Sequence, residues 1–214
     1  LPVSEVNRLR QGAVEELMLR RDWARVAEEA ERAARIAEAV AAVPASRPPA
    51  TGDTTLAAEV WTLDDARAAA GAGATEIVFD PFLRHPVPPA SRLAALRDEL
   101  SATGVSLRLR TPSIVRPEER KTLDKWLALQ LPVTTGHAGL AVALAGEGRD
   151  VAADYAVNVF NAFTAHEFFS RGVARVTASV ELTAEEMTQL VVPWNGGGFE
   201  VVMYGRPEIR RASC

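Results

Sequence analysis

Polar residues suited to acid and base chemistry follow several β-rich segments of this sequence. The stretch 154–161, DYAVNVFN, begins with Asp154 and contains Asn158, and Glu181 follows a later β-rich segment. Carboxylates at the ends of neighbouring strands can act as a general acid and a general base. We therefore predict a catalytic group of Asp154, Asn158 and Glu181, in which Asp154 and Glu181 form the acid and base pair.

Two arginines and one histidine are candidates for substrate binding. Arg108 and Arg110 are two residues apart in a β-rich segment, so their side chains share one face and can bind a carboxylate or a phosphate in bidentate fashion. The alternative is a solvated edge strand with two surface arginines. His137 lies among glycine-containing turns, where it acts as a general base or ligand, or only hydrogen-bonds a loop.

Further candidates lie at the ends of later segments. Asn161 either binds substrate or caps the helix that follows it. Tyr204 and Arg206 end the last β-rich segment and complete the predicted substrate-binding set. His166 lies inside a helical pattern, and adjacent helical residues do not face one another, so His166 and Glu167 do not form a metal site.

Composition excludes several classes of protein. The 214 residues, 48% hydrophobic and 24% charged, are enough to bury a core. A net charge of −4 disfavours a general nucleic-acid-coating or membrane-surface role. One cysteine cannot form an internal disulfide, and no apolar run approaches the roughly 20 residues that cross a bilayer. A secretory signal would have an apolar segment where Asn7, Arg8 and Arg10 lie, so we expect a cytoplasmic protein.

The chain divides into a helical region and a region of alternating elements. Residues 4–43 are rich in Ala, Glu, Arg and Leu and predict two helices, with Asp22 as N-cap of the second. The segment 44–53, PASRPPATGD, has the composition of a linker. We therefore place a helical preface and linker in 1–50 and a second domain in 51–214.

The second region alternates β-rich and helical segments. Seven strands are predicted, at 56–60, 76–79, 105–110, 132–135, 151–155, 174–180 and 200–204. Six helices are predicted between them, at 63–70, 91–101, 117–130, 140–145, 162–170 and 183–191. Such repeats require a parallel sheet, and their regular spacing predicts a (β/α) TIM-barrel-like fold that is incomplete, one strand short of eight. A Rossmann-like sheet is the alternative, but no G-x-G-x-x-G motif follows the first strand.

Three stretches together resemble the collagenase-like peptidase family, peptidase U-thirty-two. Residues 1–17, LPVSEVNRLRQGAVEEL, are similar to the segment that introduces the second barrel in long, two-barrel members. Residues 153–187 are similar to that family's Asp-x-x-x-Asn-x-x-Asn strand end, its following helix, and a strand closing in Ser-x-Glu-Leu. Residues 199–208, FEVVMYGRPE, are similar to its strand and Gly-Arg turn, after which the family has a cysteine.

The resemblance implies a C-terminal barrel of a larger protein. The family is described as peptidases, and several members are implicated in oxygen-independent hydroxylation of RNA or quinone precursors with a 4Fe-4S cluster. Cys214 resembles the first cluster cysteine, but a cluster needs four protein ligands and this chain has one cysteine. We therefore expect no cofactor on this chain alone, and a cluster only in an intact parent protein. The alternative for Cys214 is an exposed thiol.

Two functions remain open from the sequence. The first is a fragment of an enzyme, a peptidase or a hydroxylase of RNA or a related aromatic substrate. The second is a non-catalytic barrel that positions RNA or a partner domain. The expected partners are the rest of the parent protein and, as a further candidate, RNA. A second copy of the chain is also a candidate partner, because an unfinished barrel exposes strand edges. We expect no membrane partner.

Overall fold

The computed structural model describes residues 2–42, 54–82, 88–194 and 196–205. The chain forms two compact units, Leu1–Pro44 and Ala45–Cys214. The first contains one helix and the second contains a parallel sheet with six helices among its described residues. None of the described helices is long and apolar enough to cross a bilayer.

The first unit is one continuous helix, α1, Val3–Ala41, rather than the two helices that the sequence predicts. Its large apolar side chains are spread around the helix: at about 100° per residue, Val3 and Leu17 lie on one side, Trp23 and Val26 on the opposite side, and Ile36 between them. The predicted boundary at Asp22 lies inside this helix. The backbone continues through it because the region contains no proline.

None of the residues of α1 is buried. The side chain of Trp23 in particular is exposed, with 76% of its surface accessible. Helices of globular proteins gain most of their stability by burying an apolar face, and α1 buries none among the described residues.

The second unit alternates strands and helices along its whole length. The strands are β1 Ala57–Val60, β2 Glu76–Phe79, β3 Ser106–Thr111, β4 Val133–Thr135, β5 Val151–Ala153, β6 Arg175–Thr177 and β7 Phe199–Glu200. The helices are α2 Leu63–Gly71, α3 Ala90–Ser101, α4 Arg120–Leu127, α5 Ala138–Gly146, α6 Ala162–Ser170 and α7 Ala184–Val191. Each predicted strand and helix of this unit is therefore present, although β5, β6, β7 and α4 are shorter than predicted.

The seven strands are all parallel and follow the order β1-β2-β3-β4-β5-β6-β7. Strands β2 and β6 are four positions apart in this order, a separation of about 19 Å in a flat sheet. Arg175 Nη2 on β6 nevertheless lies 2.8 Å from Glu76 Oε1 on β2. The sheet therefore curls into a half-barrel, and the prediction of a TIM-barrel-like fold is confirmed.

The apolar core lies between the sheet and its surrounding helices. One face of each strand from β1 to β6 contributes aliphatic or aromatic side chains, which are buried together with Leu93, Leu96, Leu123, Leu140 and Leu144 of α3, α4 and α5, and Phe199 of β7 is partly buried against them. The strand residues of this core are Val60, Ile77, Phe79, Leu107, Leu109, Val133, Val151, Ala153, Val176 and, in the chain just after β6, Ala178. The opposite face of the sheet, which lines the interior of the half-barrel, is thus left to other side chains.

Candidate active site at the carboxyl edge of the half-barrel

The interior face of the sheet is charged. The strand register aligns Glu59 with Val78, Val78 with Arg108, and Arg110 with Thr134, so these residues share the face opposite to the apolar core. A packed TIM barrel fills its interior mainly with branched apolar side chains. Here the described interior instead holds three arginines and six carboxylates: Arg108, Arg110 and Arg175 with Glu59, Glu76, Asp80, Asp150, Asp154 and Glu200.

A lower set of these charges lies toward the amino ends of the strands. Arg108 Nη2 lies 2.9 Å from Asp150 Oδ2, and its Nη1 donates a hydrogen bond to the Val133 carbonyl at 2.9 Å. Because Asp150 precedes β5 and Val133 begins β4, the guanidinium points away from the carboxyl edge. The structure therefore does not bring Arg108 to the place where substrates bind in barrels of this kind.

Arg175 crosses the interior within the same lower set. It contacts Glu76 at 2.8 Å and Glu200 at 2.9 Å. Burial lowers the pKa of Arg175, but the charges of Glu200 and Glu76 outweigh this effect and raise it. The side chain is therefore a permanent cation that ties β2, β6 and β7 together.

Arg110 is the centre of an upper set at the carboxyl edge. Its Nη2 lies 2.7 Å from Asp154 Oδ2 and its Nε lies 3.6 Å from Asp80 Oδ2, while Nη1 donates a hydrogen bond to Glu59. The guanidinium also lies 5.7 Å from the centre of the Tyr155 ring, within the range of a cation–π contact. We call Arg110, Glu59, Asp80 and Asp154 the Arg110 cluster.

The electrostatics of this cluster fix the charge of Arg110. Burial lowers the pKa of its guanidinium, but Asp154, then Glu59 and Asp80, raise the pKa by a larger amount. Asp80 and Asp154 are buried, whereas the side chain of Glu59 is 41% exposed. Glu59 is therefore the carboxylate of the cluster that solvent and a ligand reach most readily.

Local backbone structure holds the two buried carboxylates. Asp80 follows β2 and its Oδ1 accepts a hydrogen bond from the Phe82 amide at 2.7 Å. Asp154 follows β5, where its Oδ1 accepts a hydrogen bond from the Tyr155 amide at 2.7 Å and caps a short 3₁₀ helix, Tyr155–Val157. This 3₁₀ helix replaces the end of the strand predicted to reach residue 155. Each aspartate thus has one oxygen fixed by the backbone and one directed at Arg110.

The Asn158 side chain and the Glu181 backbone amide both contact Ser179, and neither is directed at Asp154. Asn158 adopts a left-handed conformation, with φ of 61°, and its Oδ1 accepts a hydrogen bond from Ser179 Oγ at 2.8 Å. The Glu181 amide donates to the same Ser179 oxygen at 3.3 Å, and its side chain is exposed. The structure therefore brings Asn158 and Glu181 to one serine, while the Asp154 carboxylate is directed at Arg110. Their catalytic roles stay predictions.

His137 and Asn161 both begin helices. His137 Nδ1 accepts a hydrogen bond from the Leu140 amide at 3.0 Å at the start of α5. Asn161 Oδ1 accepts one from the Thr164 amide at 2.9 Å at the start of α6. These are the capping and loop interpretations that the sequence left open. A role of either side chain in substrate binding stays a prediction.

The last predicted residues are placed in part. Tyr204 is 98% exposed and lines, with Ser179, Met187 and Val202, a cleft of about 260 Å³ beyond β6 and β7. Arg206 and Cys214 lie outside the described residues. Among the described residues, no group of three or more His, Cys, Asp or Glu side chains is arranged to hold a metal ion.

Sequence reasoning missed Glu59 as a site residue. Its position in AEVW, on the first strand and in phase with the later charged strand residues, is the signal that identifies it. Asp80 follows a predicted strand, but its type and position alone assign it no role. The structure adds the contact that both residues share with Arg110.

The comparisons with known proteins support a relation at the level of the fold. No family model matches the sequence, and no curated protein matches it. The structure is similar to that of the U32 peptidase Mk0906, with a TM-score of 0.53 and 15% identity over 72% of this chain and 70% of that chain. It is also similar to dihydropteroate synthase from Thermus thermophilus in complex with 4-aminobenzoate, with a TM-score of 0.40 and 14% identity over 69% of each chain.

Proposed function

We propose that this chain is a barrel of the U32 peptidase type and that the Arg110 cluster is its active site for peptide hydrolysis. The observation that carries the proposal is the convergence of Glu59, Asp80 and Asp154, from three different strand ends, on one buried arginine. The carboxyl edge is the position of the active site in TIM barrels. The likeness in fold to a U32 peptidase supports the choice of peptides as substrate.

The cluster suggests a division of roles. Glu59, which solvent reaches, takes a proton from a water molecule as the oxygen of that water attacks the peptide carbonyl carbon. The same carboxyl group then gives the proton to the leaving amine as the carbon–nitrogen bond breaks. Arg110 holds Glu59 in place, and Asp154 and Asp80 position Arg110. The excess of carboxylates favours peptides with a basic side chain near the cleaved bond.

Gelatin cleavage tests this proposal with the chain and with a longer protein that contains it. We expect cleavage by the wild type, and loss of cleavage in Asp154→Ala, because Arg110 loses a 2.7 Å partner. Glu147→Gln, an exposed residue after α5, is the control and should cleave normally. Equal cleavage by wild type and Asp154→Ala would rule out this site.

The hydroxylase alternative requires a cofactor that this chain's residues do not fit. A 4Fe-4S cluster needs four ligands, whereas the chain has one cysteine, and the described residues form no metal-binding group. We propose cluster binding only for an intact parent that supplies further cysteines beside Cys214. Anaerobic reconstitution of that parent, followed by iron and sulfide analysis, tests this. A colourless, iron-free product would rule out binding of a 4Fe-4S cluster by the parent protein.

One observation favours a non-catalytic module as the second candidate. Each interior arginine already has a carboxylate partner, so the charges can serve mainly to hold the half-barrel together. Such a module would position RNA or a partner domain while another barrel performs the chemistry. Binding of RNA in a gel-shift assay, with no hydrolysis of any peptide, would favour this candidate.

A further inference from the structure

The imidazole of His137 is held at one of its two nitrogens. Its Nδ1 accepts a hydrogen bond from the Leu140 amide at 3.0 Å, where His137 is the N-cap of α5. A backbone amide can only donate, so Nδ1 carries no proton in this arrangement, and Nε2 carries the proton of the neutral ring. Among the described residues, none accepts a hydrogen bond from Nε2. His137 therefore presents one unused N–H donor.

The backbone around His137 fixes the place of this donor in the sheet. Strand β4 pairs with β3 on one side and with β5 on the other, and the Asp154 amide donates a hydrogen bond to the Thr135 carbonyl at 2.8 Å. His137 follows Thr135 by two residues, and its amide donates to Thr135 Oγ1 at 3.1 Å. The ion pair of Arg110 and Asp154 spans the same strand. His137 thus lies at the carboxyl edge, on the segment that follows the strand between the two partners of this ion pair.

A glycine leaves one side of the ring open. His137 is half-buried, and a Cβ at Gly139 would lie 3.3 Å from Cε1, the ring carbon that joins Nδ1 to Nε2. Gly139 does not have a positive φ, so its backbone conformation does not require glycine. A larger residue would crowd the ring at this point, whereas glycine leaves it accessible to a ligand.

Peptide hydrolysis at the Arg110 cluster calls for a donor that the cluster does not supply. As water attacks a peptide carbonyl, negative charge develops on the carbonyl oxygen, and donors directed at that oxygen lower the barrier. The cluster places three carboxylates at the site, and the three nitrogens of the Arg110 guanidinium are each directed at one of them. A neutral imidazole at a helix N-terminus can polarise a carbonyl oxygen, because it donates a hydrogen bond without giving up its proton.

We propose that His137 Nε2 donates a hydrogen bond to the carbonyl oxygen of the cleaved peptide bond, which makes His137 a catalytic residue; this inference rests on the proposed function. As the water oxygen bonds to the carbonyl carbon, an electron pair of the carbonyl double bond moves to the carbonyl oxygen, and His137 stabilises the charge there. The pair returns as the carbon–nitrogen bond breaks, and the amine leaves with the proton that Glu59 took from water. His137 keeps its own proton throughout, so it is a donor and not the general base.

The position of the proton on His137 provides the first test. The chain contains three histidines, so isotope-labelled histidine gives few nitrogen NMR signals, and those of His137 are the ones lost in His137→Ser. At about pH 8, where histidine side chains are ordinarily neutral, we expect the proton on Nε2 and none on Nδ1. A proton on Nδ1 would overturn the proposal, because Nδ1 could then not accept from the Leu140 amide. This measurement does not depend on peptidase activity.

Two capping variants separate the donor from the helix cap. Serine and asparagine both cap helices, so His137→Ser and His137→Asn should unfold at nearly the same urea concentration as the wild type. The serine side chain is too short to replace Nε2, whereas the asparagine amide keeps an N–H donor. On an internally quenched peptide with a basic residue, we expect kcat of His137→Ser to fall about 100-fold with little change in KM, and His137→Asn to retain several-fold more activity than His137→Ser.

The outcomes distinguish this inference from the proposed function. His166→Asn, which changes a histidine of α6 outside the cluster, is the control and should keep the wild-type kcat. Hydrolysis by the wild type with the same kcat in folded His137→Ser would overturn the role of His137 and leave the Arg110 cluster as the site. No hydrolysis by the wild type would contradict the proposed function itself, and the role of His137 with it.

Discussion

Arg110 Nη2 and Asp154 Oδ2 lie 2.7 Å apart and join β3 to the end of β5 across the interior of the half-barrel. Strand β4 lies between them in the sheet. The ion pair therefore acts across a strand rather than between neighbouring strands. It also places one carboxylate and one guanidinium at the edge where barrels perform chemistry.

Removing the charge of Arg110 should destabilise the second unit strongly. Arg110→Met leaves Glu59, Asp80 and Asp154 without their shared cation, and breaking a buried ion pair costs about 3–5 kcal/mol. Urea denaturation measures the difference. Arg97→Met, which removes an exposed arginine on α3, is the control and should change the free energy of unfolding by less than about 0.5 kcal/mol. Similar stabilities for the two variants would contradict the structural role of the cluster.

A methyl group at Gly136 should disturb the carboxyl edge. A Cβ at this position would lie 2.5 Å from Ser113 Oγ and 2.8 Å from Ala156 Cβ, between the segments that follow β3 and β5. We expect Gly136→Ala to lower the free energy of unfolding by about 1–3 kcal/mol. Gly146→Ala at the end of α5 is the matched control, since nothing lies within 4 Å of its added methyl. Thermal denaturation showing equal losses would contradict this packing.

The start of α7 should depend on its capping box. Thr183 Oγ1 accepts a hydrogen bond from the Glu186 amide, and Glu186 Oε2 accepts one from the Thr183 amide at 2.8 Å. Thr183→Ala should destabilise the unit by about 1 kcal/mol, whereas Thr183→Ser should retain most of the stability. Urea denaturation of both variants checks this, and an unchanged Thr183→Ala protein would show that the cap adds nothing.

The same cap predicts a pH dependence. Hydrogen bonds from Thr183 lower the pKa of Glu186 in the folded state. The stabilisation is therefore fully present above the pKa that Glu186 has in the unfolded chain, and it is lost as the pH falls through the lower pKa of the folded state. The stability difference between wild type and Glu186→Gln should shrink in this acidic range. A difference that stays constant between about pH 6 and pH 3 would contradict this.

The strands of the second unit were predictable because their apolar residues recur at β spacing between helical segments. Ile77 and Phe79 on β2 show this pattern, and both are fully buried. The single α1 was not predicted, because Asp22 has the residue type of an N-cap and yet lies inside a helix that continues through it.

The site was predictable only in part. Alternation placed Arg108 and Arg110 on one face, and both do face the interior. Their partners were not predictable, because Glu59 and Glu76 lie on strands far away in sequence, and which strands are near β3 is set by the order and curl of the sheet. Arg108 and Arg110 are two residues apart along β3, so Arg108 lies nearer the amino end and Arg110 nearer the carboxyl edge.

The kinetics of Glu59→Gln on an internally quenched peptide with a basic residue test the central claim most directly. If Glu59 moves the proton in hydrolysis, kcat should fall about 100-fold or more, with little change in KM, while Glu147→Gln retains wild-type kcat. Circular dichroism establishes that both variants fold. Measurable hydrolysis by the wild type with the same kcat in Glu59→Gln would contradict the assignment of the active site to the Arg110 cluster.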